Sequence, residues 1–317
     1  MATVLGRRFL TTDPGVRARF GDPFRPLEPD CRVIQFDERL SASQLERAGH
    51  LIVDRPDVEL YVYDRGWRDL SFLRYFKTLQ RLHIALYELD DIAGLSHVPW
   101  LRELTFGETK KKFSLRFVET WPLLKRLFLI GHKTDLHCIR GLTELENLGL
   151  SGITLPDLSL LLPLVKLRKL QLFLGSTRNL AGLAQLPQLE DLSLMRITQL
   201  ADLGILADLV GLKTLKLIWM RNVTSLPSLH GLERLDDVEL ETMKGLTDLS
   251  PLAAAPALRR LVVAEMRQLT ADSFRCFIGH PGLQELWADT GKLGLNAEVK
   301  QMLPHVVRAF PNQRVLE

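Results

Sequence analysis

Leu167-Arg-Lys-Leu170-Gln-Leu172 and Leu189-Glu-Asp-Leu192-Ser-Leu194 are two copies of one six-residue frame, apolar-x-x-apolar-x-apolar. The frame recurs eleven times, with steps of 21 to 25 residues between successive copies. Its last three positions alternate between apolar and other residues, which is the pattern of a short strand with one buried face. The sequence therefore predicts eleven short strands at a regular spacing. The frames begin at Val58, Leu79, Leu101, Leu124, Leu145, Leu167, Leu189, Leu212, Leu235, Leu258 and Leu283.

Between the predicted strands, the apolar residues recur at about every third position, as at Ile197, Leu200 and Leu203. This spacing favours a tight 3₁₀-like or irregular return over a long α-helix. Leucine supplies 66 of the 317 residues, and 56 of these leucines fall in residues 58 to 290. Because no single turn can bury its own leucines, stability must come from stacking each turn on the next.

The repeat resembles the leucine-rich repeat family, in particular its 22-residue bacterial class, and is similar to internalins over residues 58 to 290. The resemblance implies an α/β solenoid: a horseshoe with a concave parallel β-sheet of about eleven strands and a convex side of 3₁₀, irregular and short helical segments. The family usually places asparagine three residues after the last strand leucine, where it satisfies backbone groups in the bend. Here that asparagine ladder is absent, so either apolar side chains pack the bends or the register shifts there. The positions hold Tyr87, Thr109, His132, Ile153, Gly175, Ile197, Met220, Met243 and Met266.

Three segments follow from this pattern: an amino-terminal cap at 1–57, the solenoid at 58–290 and a carboxyl-terminal helical cap at 291–317. The first cap should hold a strand at 33–36 and a helix that begins at Ser41 or Ser43. In the second cap, Asn296 is expected to cap the helix. A further helix is predicted from about Ala271 to Ile278, with Thr270 as its cap.

Charge and cysteine content narrow the possible partners and compartments. Lys and Arg exceed Asp and Glu by only three, which gives no large electrostatic footprint for nucleic acid or a membrane surface. The three cysteines are odd in number and widely separated, which is unlike a disulfide framework or a metal site. With no apolar run of signal-peptide or membrane-span length, the expectation is a cytoplasmic protein.

The search for chemistry yields one cluster. The sequence contains no G-x-S-x-G, no phosphate-binding G-x-x-x-x-G-K-[ST], no H-E-x-x-H and no C-x-x-C, so no enzyme activity, metal or cofactor is expected. The loop from His132 to Cys138, with Asp135 and His137 between them, is the alternative: it could hold a metal, a ligand or a Cys–His pair. A solvated bend explains the same residues, since Leu136 and Ile139 continue the apolar period.

The surface most suited to binding is the concave face of the predicted sheet. Side chains alternate between the core and this face along each strand. Apolar residues occupy the middle of the arc, where polar residues would be usual, and acidic residues gather towards its carboxyl end. Apolar and aromatic groups are enriched at interface cores, and a row of carboxylates can meet a basic partner. The candidate residues are Phe128, Ile130, Phe173, Met195, Ile218, Trp219, Asp237, Glu239, Glu241, Glu265 and Trp287.

Two other readings of these residues stay open: the apolar ones could pack against neighbouring strands, and the acidic ones could form a solvated face. Eleven strands at about 4.8 Å give an arc of roughly 50 Å, which suits a protein better than a small metabolite. The expected function is a monomeric, non-catalytic scaffold that binds a protein partner of unknown identity, as an adaptor, inhibitor or regulator.

Overall fold

The computed structural model describes residues 17–19, 27, 29–36, 39–63 and 66–308. The chain forms two compact units, one ending at Thr134 (unit 1) and one beginning at Asp135 (unit 2). Within each unit, parallel strands lie side by side in chain order and 3₁₀ turns join most of them. The predicted architecture, a parallel-stranded leucine-rich-repeat solenoid with 3₁₀ returns, is confirmed.

Unit 1 contains one α-helix and six strands among its described residues. Helix α1 (Ala42–Leu51) connects the second strand to the third. The strands are β1 (Arg17–Arg19), β2 (Val33–Phe36), β3 (Glu59–Val62), β4 (Arg81–Ile84), β5 (Glu103–Phe106) and β6 (Arg126–Ile130).

Unit 2 contains seven strands and two α-helices among its described residues. The strands are β7 (Asn147–Ser151), β8 (Lys169–Phe173), β9 (Asp191–Met195), β10 (Thr214–Ile218), β11 (Asp237–Glu241), β12 (Arg260–Ala264) and β13 (Glu285–Asp289). Helix α2 (Ser250–Ala253) is a single turn, and α3 (Leu293–Met302) follows the last strand.

The first frame is predicted one residue too late. Leu60 pairs with Leu82 and Val62 with Ile84, so the first copy aligns from Asp57 rather than Val58. Leu60 and Val62 are consequently buried, whereas Tyr61 and Tyr63 face away from the core. A slip of one residue exchanges the two faces of a strand, because its side chains have a period of two.

Buried side chains fill most of the bends where the family usually has asparagine, although Tyr87 is exposed. Thr109 and His132 are buried in unit 1, and Met220, Met243 and Met266 are fully buried in unit 2. Of the two explanations left open by the missing asparagine ladder, packed bends are therefore the observed one in unit 2.

The backbone of unit 2 turns sharply at the residue that follows each strand from β7 to β12, which we call the exit residue. Each exit residue has a positive φ, between 51° and 67°. Its N–H continues the parallel ladder by donating to the last residue of the next strand; for example, Trp219 N–H bonds to the Glu241 oxygen at 2.8 Å. The exit residues are Gly152, Leu174, Arg196, Trp219, Thr242 and Glu265.

A second repeated feature is a side-chain hydrogen bond at the start of the return segments. In several repeats the side-chain oxygen of Asp or Asn accepts a hydrogen bond from the N–H two residues later, at 2.7 to 2.8 Å. Such Asx turns satisfy backbone donors at the start of a helical segment. The residues are Asp69 and Asp91 in unit 1, and Asp157, Asn179, Asp202 and Asp248 in unit 2.

The predicted helix caps have mixed outcomes. Ser41 forms a capping box with Gln44 at the start of α1, as predicted. Thr270 forms a capping box with Ser273, but the segment it caps, Ala271–Phe277, is a 3₁₀ helix. The prediction for Asn296 is wrong, because α3 begins at Leu293 and Asn296 lies inside it. Its Oδ1 instead accepts hydrogen bonds from the N–H and hydroxyl of Thr290, which hold α3 to the end of β13.

Candidate functional site

The open face of the sheet in unit 1 carries a row of alternating charges. Glu59, Arg81, Glu103 and Arg126 lie opposite one another on β3 to β6. Glu103 Oε2 is 3.0 Å from Arg81 Nε and 3.4 Å from Arg126 Nη1. The two carboxylates and the two guanidinium groups have equal and opposite charges, so this row offers a partner little net charge.

Beside this row lies a row of ring-bearing residues. Tyr61, His83 and Phe128 are in register across β3, β4 and β6, with Thr105 on β5 between the last two. The rings of Tyr61 and His83 are 4.3 Å apart, and Tyr63, at 56% exposure, lies 6.2 Å from Tyr61.

Two of the predicted site residues belong to this face: Phe128 and Ile130 are both partly exposed. Tyr61 and Tyr63 are the residues that sequence reasoning missed, because the misplaced first frame assigned them to the core. The spacing gave no signal of the error, because the 21-residue step from Val58 to Leu79 also occurs between Leu124 and Leu145.

In unit 2, two predicted face residues contribute no exposed surface. Phe173 and Met195 are only 2% and 3% exposed. Met195 stands in register between Phe173 on β8 and Ile218 on β10, so large neighbours flank it on both sides. This outcome matches the alternative in which these side chains pack against adjacent strands, and it removes them from the surface available to a partner.

Ile218 and Trp219 remain partly exposed at the end of β10. The guanidinium carbon of Arg196 lies 5.3 Å from the centre of the Trp219 ring, in a cation–π contact. Both residues are exit residues with a positive φ, 52° for Arg196 and 56° for Trp219. An apolar ring beside a cation is a combination enriched at binding hot spots. Trp287, on β13, is also partly exposed and lies in register with Val262.

The predicted acidic group is partly neutralised within the fold. Lys216 Nζ lies 2.8 Å from Glu239 Oε2, and Arg260 Nη1 lies 2.8 Å from Asp237 Oδ1. Glu241 is partly exposed, and Glu265 is an exposed exit residue. Glu239 and Asp237 are therefore engaged in ion pairs within the fold, which reduces the net negative charge that this group presents.

The reactive side chains of the loop from His132 to Cys138 differ in their exposure. His132 is fully buried in unit 1, with Nε2 at 3.0 Å from the Gly107 oxygen. In unit 2, Cys138 is buried and its Sγ is 3.8 Å from Nε2 of the exposed His137. Burial lowers the pKa of His132, which favours its neutral form.

Within the ranges that the structure describes, no group of three or more His, Cys, Asp or Glu could hold a metal ion. None of the described helices is both long and apolar enough to cross a membrane. The cysteines Cys31, Cys138 and Cys276 form no disulfide in the described structure.

Solved structures identify the fold. An internalin (inlF) from Listeria monocytogenes aligns with 89% of this chain and 88% of its own, with a TM-score of 0.59 and 18% sequence identity. The chain has an internalin-like leucine-rich-repeat fold. Internalin C2 (inlC2) of the same organism also aligns, over 68% of this chain and 82% of its own, at 22% identity and a TM-score of 0.41. No protein-family model matches the sequence, and no curated protein matches it.

Proposed function

We propose that this protein is a non-catalytic scaffold that binds a protein partner on the open face of its leucine-rich-repeat sheet, as an adaptor, inhibitor or regulator. The proposal rests on one observation: residues with aromatic rings keep exposed surface on the open face of the sheet in each unit. A solvated sheet face is ordinarily polar, whereas aromatic residues are enriched at the centres of protein interfaces. The residues are Tyr61, Tyr63 and Phe128 in unit 1, and Trp219 and Trp287 in unit 2.

The structure narrows the candidate contacts. Because Phe173 and Met195 are buried, the apolar contacts proposed for unit 2 are Ile218, Trp219 and Trp287, with Arg196 supporting the Trp219 ring. Glu241 and Glu265, which both keep exposed surface, are the proposed contacts for a basic group on the partner. In unit 1, the proposed contacts are Phe128 and Ile130, now joined by Tyr61 and Tyr63.

The proposal includes no metal and no cofactor, and it assigns the binding form to a monomer. The odd number of scattered cysteines favours a reducing compartment such as the cytoplasm.

The test is a substitution of Trp219 with a matched tryptophan control. Trp100 is 60% exposed and precedes β5, away from the sheet face, so Trp100→Ala removes an equal side chain elsewhere. A partner captured by cross-linking would first be purified, and its Kd then measured by calorimetry with each variant. We expect Trp219→Ala to weaken binding by about 30-fold or more, as hot-spot truncations do, and Trp100→Ala to leave it unchanged.

The same measurement on Tyr63→Ser examines the face of unit 1. Wild-type affinity in both Trp219→Ala and Tyr63→Ser, with the fold intact by circular dichroism, would show that the partner binds elsewhere.

A further inference from the structure

A row of basic residues follows the strands of unit 2 on the turns that leave the sheet. Arg221, Lys244 and Arg267 each lie three residues after the end of their strand, at equivalent positions on β10, β11 and β12. We call these three residues the basic turn row. All three are exposed, and within the described part of the chain none of them has an ion pair or hydrogen bond through its side chain.

Packing of the turns directs the side chains of the basic turn row towards solvent. The residue before each cation is a fully buried methionine: Met220, Met243 or Met266. A buried side chain at one position of a tight turn leaves the next position facing solvent. The cations thus stand outside the fold as a consequence of how the turn packs.

The backbone also keeps the row in close order. Two residues before each cation, the exit residue still bonds to the next strand: Trp219 to Glu241 at 2.8 Å and Thr242 to Ala264 at 2.9 Å. The turns therefore keep the strand spacing of about 4.8 Å up to the exit residues, two residues before the cations. Like charges held this close repel one another, and this repulsion is relieved when an anionic group binds.

We propose that the basic turn row binds an acidic α-helix of a partner protein, through carboxylates spaced three or four residues apart. Side chains at this spacing on a helix are about 5 to 6 Å apart, close to the spacing of the row, whereas alternate residues of an extended strand are about 6.6 Å apart. This surface lies on the turns and not on the open face of the sheet, so the inference does not depend on the proposed function.

A neighbouring carboxylate argues for a protein helix over a nucleic acid. Glu265 lies two residues before Arg267, and both side chains lie against Gly291. A methyl group at Gly291 would be 3.2 Å from Glu265 Oε2 and 2.9 Å from Arg267 Nε. A continuous phosphodiester chain along the row would meet this carboxylate, while a helix can place a neutral or basic residue beside it.

The experiment measures binding of a fluorescein-labelled, alanine-rich 21-residue helical peptide with glutamates along one face, at low ionic strength. A peptide of the same composition with glutamates on all faces is the sequence control. We expect tighter binding of the one-face peptide and a several-fold weaker affinity in 300 mM salt than in 50 mM salt.

The site is tested with Arg221→Glu/Lys244→Glu/Arg267→Glu and a matched triple variant, Lys77→Glu/Lys133→Glu/Lys300→Glu. The control cations are exposed and have the same charge, so both variants change the net charge equally. We expect the first variant to weaken binding at least tenfold and the second to leave it within about twofold. Arg221→Gln/Lys244→Gln/Arg267→Gln repeats the test without introducing new repulsion, and melting temperatures verify the fold.

Three results would overturn the proposal: equal binding of the two peptides, equal loss in the two charge-reversal variants, or no binding by the wild type at low salt. Tighter binding of a labelled 20-nucleotide single-stranded DNA that depends on the same three cations would instead assign the row to nucleic acid.

Discussion

The imidazole of His132 donates from Nε2 to the carbonyl oxygen of Gly107 at 3.0 Å, inside the core of unit 1. The ring is stacked on Phe106, with 4.4 Å between their centres. Its other nitrogen, Nδ1, is buried without a hydrogen-bond partner among the described residues. A second proton would therefore place a charge and an unpaired N–H in the core.

This arrangement predicts a loss of stability in mild acid. Burial lowers the pKa of His132, nearby Lys112 lowers it further, and Gly107 and Glu108 oppose the change. The unfolded chain, with an ordinary pKa of about 6.5, then binds more protons than the folded chain just below that pH. We expect the free energy of unfolding to fall as the pH drops from 7.5 to 5.5, measured from denaturant midpoints.

The non-titrating variant His132→Gln should show a smaller decrease over the same pH range, whatever its stability at pH 7.5. His97 is exposed, so His97→Gln should keep the wild-type pH dependence. An unchanged decrease in His132→Gln would mean that other groups cause it.

The Asx turn at Asp248 predicts a second pH effect at lower pH. Asp248 Oδ1 accepts from the Ser250 N–H at 2.8 Å, and this bond, with a contribution from the Ser250 side chain, lowers the pKa of Asp248. The stabilisation is present above the unfolded pKa of about 3.9 and is lost as the pH falls through the lowered folded value. Asp248→Ala should cost about 1 kcal/mol in the free energy of unfolding at pH 7, and less at pH 2.5.

Asn179 provides the matched control, because its Oδ1 accepts from the Ala181 N–H at 2.7 Å and does not titrate. The loss caused by Asn179→Ala should be the same at both pH values, measured by urea denaturation. If the two alanine variants respond alike to pH, ionisation of Asp248 does not contribute.

The positions of the strands were predictable because each strand contributes leucines at fixed spacing, and ten of the eleven frames have the observed register. The error at Val58 arose because Val58, Tyr61 and Tyr63 fit the apolar frame as well as Leu60 and Val62 fit the true one. The distance to Leu79 does not distinguish the two alignments, because a 21-residue step also separates Leu124 from Leu145.

The exposure of face residues was less predictable than the register. Whether Phe173 is buried depends on the size of the side chains beside it on neighbouring strands and on the path of the turn, neither of which a single repeat contains. The Asx turns, in contrast, could have been found in the sequence, since Asp or Asn recurs just before the return segment in several repeats.

Phe173 and Trp219 differ in burial, and this difference should appear as a difference in the stability lost when each is replaced by alanine. Phe173→Ala removes a ring that is 2% exposed, so we expect a loss of about 3 to 5 kcal/mol in the free energy of unfolding. Trp219→Ala removes a partly exposed ring and should change stability by no more than about 1 kcal/mol. Denaturant titration of both variants gives the comparison. A small loss in Phe173→Ala would return Phe173 to the candidate binding surface.

The positive φ of the exit residues leads us to expect that replacing Thr242 with glycine stabilises the protein. Thr242 has a φ of 55°, a left-handed conformation that costs a β-branched residue about 1 to 2 kcal/mol, whereas Gly152 adopts a φ of 67° at the equivalent position of another repeat. Thr242→Gly should therefore raise the free energy of unfolding by about 0.5 to 1 kcal/mol, after the greater entropy of unfolded glycine is subtracted.

The reverse exchange, Gly152→Thr, should lower the free energy of unfolding by a similar amount, measured by the same denaturant titration. If Thr242→Gly is destabilising while Gly152→Thr behaves as expected, the Thr242 side chain makes a favourable contribution that outweighs its backbone strain. Strain of this kind is retained most often where a side chain has a function. Trp219 has a φ of 56°, so Trp219→Gly makes the same exchange there. Its effect on the free energy of unfolding would then be compared with its effect on the affinity for the partner.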